Sequence, residues 1–161
     1  MGIGEGAGFE PATGDGPPMG EPDGRRDASV RTAFAGLLEI RRLTNTGPGR
    51  PEDSPARWEL NQPVRAVALA LEASGTAASA VDPSGSRVAT GYRVGRGETP
   101  GTVRVEWLGP PGGGAAHQEE DALARCAGVL EGLGWTALLY RGPRRRRYVE
   151  VEPPTRRDHR S

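Results

Sequence analysis

The stretch that decides the fold is Ala116–Glu152, AHQEEDALARCAGVLEGLGWTALLYRGPRRRRYVEVE. In its first half, apolar residues recur at spacings of three and four, which gathers them on one face of an α-helix. These residues are Ala122, Leu123, Cys126, Val129, Leu130 and Leu133. Gly132 and Gly134 supply the glycines that often follow a helix end. The pattern predicts a central helix with one buried face, followed directly by extended chain.

The second half of this stretch predicts a β-hairpin. Trp135–Tyr140 is rich in aromatic and aliphatic residues, and Tyr148–Glu152 alternates polar with apolar residues. The dipeptide Gly142-Pro143 between them is typical of a turn. Four consecutive arginines, Arg144–Arg147, therefore lie at or beside the tip of an antiparallel hairpin.

A similar unit precedes the central helix. A helix is predicted from Asn61 to Ser74, and two alternating strands are predicted at Arg87–Val94 and Thr102–Leu108. The order helix, two strands, helix, two strands predicts an α+β domain over residues 57–153, with antiparallel hairpins and helices on one face. The predicted inward residues are Val88, Tyr92, Val103, Val105, Trp107, Leu123, Cys126, Leu130, Leu133, Leu139, Val149 and Val151.

Less structure is predicted outside residues 57–153. Residues 1–26 are rich in Gly, Pro and acids and predict a disordered leader, while residues 154–161 predict a basic disordered tail. Residues 27–43 predict a helix that is isolated in sequence, and the Gly/Pro-rich residues 44–56 predict a linker. Its apolar stripe consists of Val30, Phe34, Leu37, Leu38 and Arg41. This helix is either an accessory packed on the domain or part of an extended reading frame.

Composition excludes several classes of function. The 21 basic residues, all arginine, equal the 21 acidic ones, so the chain has no bulk polyanion-binding character. The absence of lysine is typical of a very GC-rich genome, so abundant arginine carries little functional information. The single cysteine, Cys126, is predicted to be a buried core residue. With no apolar run of about 20 residues and no secretory signal, the sequence predicts a cytoplasmic protein without a membrane segment.

The motifs that could carry chemistry are weak. The loop Gly109–Gly114 lacks the Lys and Ser or Thr of a phosphate-binding loop and is interpreted as a connector. His117 and Glu119–Asp121 are consecutive or nearly so, and consecutive helical side chains point in different directions, so they are interpreted as a solvated helix start. We therefore expect no catalytic residue, no metal and no cofactor.

The hairpin arginines offer the one testable site. If the hairpin is symmetric about Arg144, Tyr140 and Tyr148 lie opposite each other on the outward face. Guanidinium groups bind phosphates, and exposed tyrosines stack on unpaired bases. The alternative is a solvated turn with an ordinary cross-strand tyrosine pair, and acids at Glu106, Glu150 and Glu152 on the same face oppose nucleic-acid binding. The predicted site is Tyr140, Arg141, Arg144, Arg145, Arg146, Arg147 and Tyr148.

The runs Gly91–Val94, Gly101–Trp107 and Gly134–Ala137, together with the central helix, resemble small uncharacterised proteins carried by actinomycete integrated plasmids and prophages. The resemblance covers residues 61–153 and implies no known activity. Residues Gly8–Thr13, GFEPAT, resemble the antisense translation of a tRNA gene, the kind of site where such elements insert, and the alternative is chance occurrence of a short GC-rich string. The tRNA interpretation implies that residues 1–26 are a mis-called start. We therefore expect a non-enzymatic accessory protein of a mobile genetic element that binds DNA or RNA phosphates. The alternative is a protein-interaction module that binds a protein partner through its sheet face.

Overall fold

The structure, a computed structural model, describes residues 9–20 and 24–154, without the side chain of Arg145. Residues 1–8, 21–23 and 155–161, where parts of the predicted leader and tail fall, lie outside this description. The helices are α1 (Gly24–Thr44), α2 (Arg57–Asn61), α3 (Pro63–Ala73) and α4 (Ala115–Gly132). The strands are β1 (Ala80–Val81), β2 (Arg87–Ala89), β3 (Gly91–Arg96), β4 (Val103–Leu108), β5 (Thr136–Arg141) and β6 (Arg147–Glu152).

The main sheet has the order β3-β4-β6-β5, and every neighbouring pair is antiparallel. Along β4 the side chains alternate, so that Val103, Val105 and Trp107 are buried while those between them are half-buried. The buried set packs with apolar side chains of α3 and α4 into one core. The predicted α+β class, with antiparallel hairpins and helices on one face, is confirmed.

The prediction is wrong for two of the residues that were expected to face the core. The predicted strand Arg87–Val94 is divided, because β2 pairs with β1 in a separate two-stranded sheet and only β3 joins the main sheet. Val88 therefore lies on the small hairpin and is 43% exposed. Leu139 is also 43% exposed, because it lies on the outermost strand of the main sheet. The other predicted inward residues are buried in the core or packed against it.

Helix α1 is not isolated, since its apolar stripe packs against α3. Val30 and Leu37 of α1 form a second apolar cluster with Leu69 of α3. Sequence periodicity shows that a helix has an apolar face, but it does not identify the element that covers that face. The first 3-10 turn, Pro51–Asp53, lies within the predicted linker and also contacts α1.

A fully buried arginine joins these N-terminal elements to the rest of the domain. The Nε and Nη2 groups of Arg41 donate to the two carboxylate oxygens of Glu59, at 2.7 Å each. Its Nη1 group donates to the carbonyl oxygens of Glu52, at 2.7 Å, and Leu133, at 2.8 Å. One side chain of α1 thus binds α2, the predicted linker and the turn between α4 and β5.

Part of the predicted disordered leader is also packed against the domain. The carbonyl of Thr13 accepts a hydrogen bond from the N–H of Val94, at 2.7 Å, and the carbonyl of Ala12 accepts one from the hydroxyl of Tyr92, at 2.8 Å. These contacts hold the described residues 9–16, which we call the 9–16 segment, against β3. Backbone groups of this segment make the contacts, and composition does not reveal them.

These contacts cover one edge of the main sheet. Besides the 9–16 segment, the loop before β1 bonds to β3: the N–H of Tyr92 donates to the carbonyl of Ala77, and the N–H of Ser79 donates to the carbonyl of Tyr92, both at 2.9 Å. At the other edge, no strand pairs with the outer side of β5 in the described part of the chain. The two edges of the sheet are therefore unlike.

Candidate nucleic-acid interface

The face of the sheet away from α3 and α4 carries a stacked pair of tyrosines. Tyr140 of β5 lies directly opposite Tyr148 of β6, as the symmetry of the hairpin predicts. Their ring centroids are 5.6 Å apart and their planes are inclined by 28°. The guanidinium carbon of Arg104, on β4, lies 3.9 Å from the centroid of the Tyr148 ring. The rings and the guanidinium group form a continuous row across three neighbouring strands.

The acids on this face have arginine neighbours. Glu106 lies 3.3 Å from Nη1 of Arg93, and Glu150 lies 4.0 Å from Nε of Arg104. Glu150 is also largely buried. Two of the three carboxylates that oppose a nucleic-acid interface therefore have an adjacent positive charge that offsets theirs.

Three arginines at the end of the hairpin differ from Arg93 and Arg104 in their surroundings. Arg141, Arg144 and Arg146 are exposed, and no ion pair is found for them within residues 9–20 and 24–154. We call these three residues the hairpin arginines. Arg144 also has φ 61° and ψ 23°, the left-handed conformation that a side chain with a Cβ adopts at a cost of about 1–2 kcal/mol.

Arg147 belongs to a different environment. Its Nη1 and Nη2 groups lie 3.6 Å from the carboxylates of Glu119 and Glu120 of α4, and its backbone N–H donates to Glu119 at 3.2 Å. Glu119, predicted to be solvated, is 8% exposed. Arg147 shares the alternation of Val149 and Val151, which face the helices, so its orientation could have been predicted. Arg147 lies directly opposite Arg141 in the hairpin but differs from it in having carboxylates of α4 beside its guanidinium group.

The structure therefore brings together part of the predicted site. Tyr140, Tyr148 and the hairpin arginines lie on or beside one hairpin, and the backbone of Arg145 lies in its turn. Arg104 is a member that sequence analysis missed. The alternation of β4 predicts an outward side chain there, but only the strand order, in which β4 adjoins β6, places it over Tyr148.

Other chemically reactive groups are few. Cys126 is fully buried, and burial raises the pKa of its thiol to about 11, so the reactive thiolate is scarce at neutral pH. No group of three or more His, Cys, Asp or Glu side chains in the described ranges converges on a metal position. An open groove of about 700 Å³ lies between the 9–16 segment, the start of α3 and the β3–β4 turn. Its lining includes Arg65, whose guanidinium group lies 3.2 Å from Glu10.

Comparison with known proteins identifies no relative. A scan against protein-family models, a search of curated proteins and a search of solved structures each returned no match. The expected kinship with proteins of actinomycete plasmids and prophages therefore stays a prediction. As to membranes, no helix within the described residues combines the length and the apolar character needed to cross one.

Proposed function

We propose that this protein is a non-enzymatic nucleic-acid-binding protein that holds an unpaired stretch of DNA or RNA at the β5–β6 hairpin. The hairpin arginines contact phosphates, while Tyr140 and Tyr148 contact bases on the uncovered sheet face. The observation that carries the proposal is the position, beside a stacked tyrosine pair, of three exposed arginines for which residues 9–20 and 24–154 supply no carboxylate partner.

The two kinds of side chain supply different parts of the binding free energy. Arginines that neutralise phosphates release counterions, so three of them give a slope of about −2 in log K against log salt for a single strand. Stacking of one base on an aromatic ring contributes about 1–3 kcal/mol and depends little on sequence. We therefore expect binding that is sensitive to salt and tolerant of sequence.

Unpaired strands are favoured over duplexes because the aromatic row lies on a sheet. In a duplex the faces of the bases are already stacked on one another, so Tyr140 and Tyr148 gain access to them only in a single strand or a loop. A duplex retains the phosphate contacts of the hairpin arginines alone. The expected order of affinity is single-stranded RNA or DNA first and duplex DNA second.

The backbone of Arg144 supports a functional role for its side chain. Glycine adopts φ 61° without the steric cost that arginine incurs, so glycine is the more stable choice at this turn. Residues held in such conformations often serve function rather than stability. An arginine at this position is accounted for if its guanidinium group contacts a ligand.

The experiment is fluorescence anisotropy of the full chain with labelled single-stranded RNA, single-stranded DNA and duplex DNA at low and moderate salt. Changing Arg141, Arg144 and Arg146 to Ser should abolish measurable binding, and Tyr148→Ala should weaken it by about 5- to 100-fold. Arg42→Ser is the matched control, since Arg42 is an exposed arginine on α1 that pairs with Glu39. Absence of binding at low salt, or equal loss in the control, contradicts the proposal.

The variant Arg144→Gly separates binding from folding. It should leave the domain as stable as the parent or stabilise it by up to about 1 kcal/mol, because the left-handed conformation suits glycine. Its affinity for the single strand should nevertheless fall several-fold. A loss of affinity together with retained stability identifies the guanidinium group itself as the binding element, whereas unchanged affinity removes Arg144 from the site.

The hairpin arginines also favour a second candidate, in which the same groups bind an acidic protein segment. A labelled oligoglutamate peptide tests it in the same assay. Stronger binding of this peptide than of a single strand with equal charge supports the protein-interaction module. Weaker binding supports the nucleic acid, because glutamate side chains offer no face for Tyr140 and Tyr148 to stack on.

A further inference from the structure

The outer edge of β5 is an apolar strand edge without protection. Leu138, Leu139 and Tyr140 are exposed by 40, 43 and 43%, and no strand lies beyond them in the described part of the chain. The strand contains no proline, and its register with β6 is continuous from Thr136 to Arg141. Edge strands that lack charges, proline or bulges along their length readily pair with another strand.

The register shows which backbone groups point outward. At the end of the hairpin, the N–H of Gly142 donates to the carbonyl of Arg146 at 2.6 Å, so this is a hydrogen-bonded pair. Hydrogen-bonded and non-hydrogen-bonded pairs alternate along an antiparallel ladder, so Leu138 and Tyr140 direct their backbone groups toward β6. The residues that direct theirs toward the outer edge are Ala137, Leu139 and Arg141.

We propose that β5 pairs antiparallel with β5 of a second copy of this chain, about a twofold axis at Leu139. Leu139 then lies opposite Leu139 of the second copy, and Ala137 lies opposite Arg141 of the second copy. All outward-directed backbone groups are used, giving about six hydrogen bonds between the chains. On the uncovered face, Leu138 lies opposite Tyr140 of the second copy, and the result is a continuous eight-stranded sheet.

The side chains of β5 fit a second copy. A twofold axis on a residue keeps every side chain on its original face of the joined sheet, so Leu139 meets Leu139 and Leu138 meets Tyr140 of the second copy. The one charged residue of the strand, Arg141, lies at its end. Antiparallel pairing brings Arg141 to the start of β5 in the other copy, where α4 has just ended beside the exposed Glu131. An arginine is favourable at the negative end of a helix dipole.

The same arrangement separates the groups that repel each other. Arg141 is the last residue of β5, and Arg144 and Arg146 follow it, so antiparallel pairing places the hairpin arginines of the two copies at opposite ends of the interface. Parallel pairing would bring them side by side. Two six-residue strands bury less than the roughly 1,200 Å² of a standard interface, so we expect association in the micromolar range rather than a permanent dimer.

Analytical ultracentrifugation of the full chain over a range of concentrations tests the pairing. The parent chain should pass from monomer to dimer, and Leu139→Glu should stay monomeric, because it places two like charges opposite each other. Val88→Glu is the matched control, with equal exposure on β2 outside the main sheet, and it should dimerise normally. A monomeric parent, or a dimer that tolerates Leu139→Glu, overturns the proposal.

A cysteine cross-link tests the register. The Cα atoms of a hydrogen-bonded pair are about 5.5 Å apart, which suits a disulfide, and native Cys126 is buried and does not compete. Leu139→Cys should give a covalent dimer on mild oxidation, and Val88→Cys should not. Failure of Leu139→Cys to cross-link overturns the twofold axis at Leu139.

Hydrogen exchange distinguishes a second copy from any other cover of this edge. The amides of Ala137, Leu139 and Arg141 should become protected only as the protein concentration rises. Protection that is the same at every concentration means that a segment of the same chain covers β5, which overturns the proposal. The pairing does not depend on nucleic acid, so Arg144→Gly should dimerise like the parent even where it fails to bind a single strand.

Discussion

The arginines of the N-terminal side and those of the β5–β6 hairpin differ in what lies beside them. On the N-terminal side, arginines lie within 3.0 Å of carboxylate oxygens in pairs that cross between elements: Arg26 with Glu72, Arg41 with Glu59, and both Arg87 and Arg93 with Asp15. For the hairpin arginines, no carboxylate partner is found in the described part of the chain. In a chain whose basic residues are all arginine, the partners of each residue, and not the number of residues, distinguish arginines in structural ion pairs from arginines that are accessible to a ligand.

The two edges of the main sheet also differ in whether their backbone groups have hydrogen-bond partners in the described part of the chain. The edge at β3 is bonded to the 9–16 segment and to Ala77 and Ser79, so its backbone groups are used within the chain. The edge at β5 presents apolar side chains and outward-directed backbone groups. The backbone groups at the β3 edge are thus bonded within the chain, while no strand in the described part of the chain pairs with the outer side of β5. Both of our proposals therefore concern the β5 side.

The largest expected loss of stability comes from removing the ion pair between Arg41 and Glu59 on the N-terminal side. Arg41→Met leaves the buried carboxylate of Glu59 without its partner, which typically costs about 3–5 kcal/mol. It also removes the donor that joins α1 to the carbonyls of Glu52 and Leu133. Urea denaturation should show this loss as a lower midpoint with little change in slope.

Two further variants test whether the loss of stability in Arg41→Met comes from the unpaired charge of Glu59. Arg42→Met, one residue away on the exposed face of α1, should cost under about 1 kcal/mol, because surface ion pairs contribute little. The double change of Arg41→Met with Glu59→Leu should recover much of the stability, because no unpaired charge then stays buried. If Arg41→Met costs no more than Arg42→Met, α1 does not belong to the domain.

Local patterns predict the elements of this fold, and distant contacts explain what sequence analysis missed. Apolar periodicity predicts α1, α3 and α4, and alternation with turn residues predicts the two main hairpins. Arg41 could be placed on an apolar stripe, but its partners are 18 and 92 residues away, and no local pattern reports them. The 9–16 segment binds through backbone carbonyls, which every sequence possesses.

The candidate site likewise has one part that the sequence predicts and another that depends on distant contacts. The pairing of Tyr140 with Tyr148 follows from turn symmetry alone, so it could be predicted. The contact of Arg104 with Tyr148 requires the strand order β4-β6, which neither hairpin specifies by itself. Arg147 is turned toward α4 by the alternation of β6, which the run of four arginines obscures in the sequence.

A smaller loss of stability is expected from displacing the 9–16 segment. Gly14 has φ 98°, and a Cβ built there would lie 2.3 Å from the carbonyl oxygen of Tyr92. Gly14→Val should therefore displace the segment and cost about 1–3 kcal/mol. The N–H of Val94 then loses its acceptor, Thr13, so hydrogen exchange at this amide should accelerate while that of Val105 in the core stays slow.

The neighbouring glycine provides the control for this change. Gly16 has no atom within 4 Å of a built Cβ and an ordinary φ. Gly16→Val should therefore leave the exchange of Val94 and the stability unchanged. Equal behaviour of Gly14→Val and Gly16→Val contradicts a packed 9–16 segment and leaves the edge at β3 covered by the loop of Ala77 and Ser79 alone.

The smallest expected effect is a dependence on pH at the same segment. Burial raises the pKa of the Asp15 carboxyl, but hydrogen bonds from Arg87, at 2.6 Å, and Arg93, at 2.9 Å, together lower it by more. The pKa of Asp15 therefore lies below the ordinary 3.8. A carboxyl with a lowered pKa in the folded state contributes stability above pH 3.8 and loses that contribution as the pH falls through its folded pKa. Because the Asp15 side chain is 43% exposed, we expect only a small change.

Titration of the carboxyl carbons by NMR measures this effect, and Asp82 serves as the control. Hydrogen bonds from Ser84 and Ser86 also lower the pKa of Asp82, but no arginine takes part in that turn. Arg87→Gln should therefore raise the pKa of Asp15 toward 3.8 and leave that of Asp82 unchanged. If Asp15 titrates at 3.8 in the parent chain, its pairing with the two arginines does not persist in solution, and Arg93 keeps Glu106 as its carboxylate partner while Arg87 loses the ion pair that the structure shows.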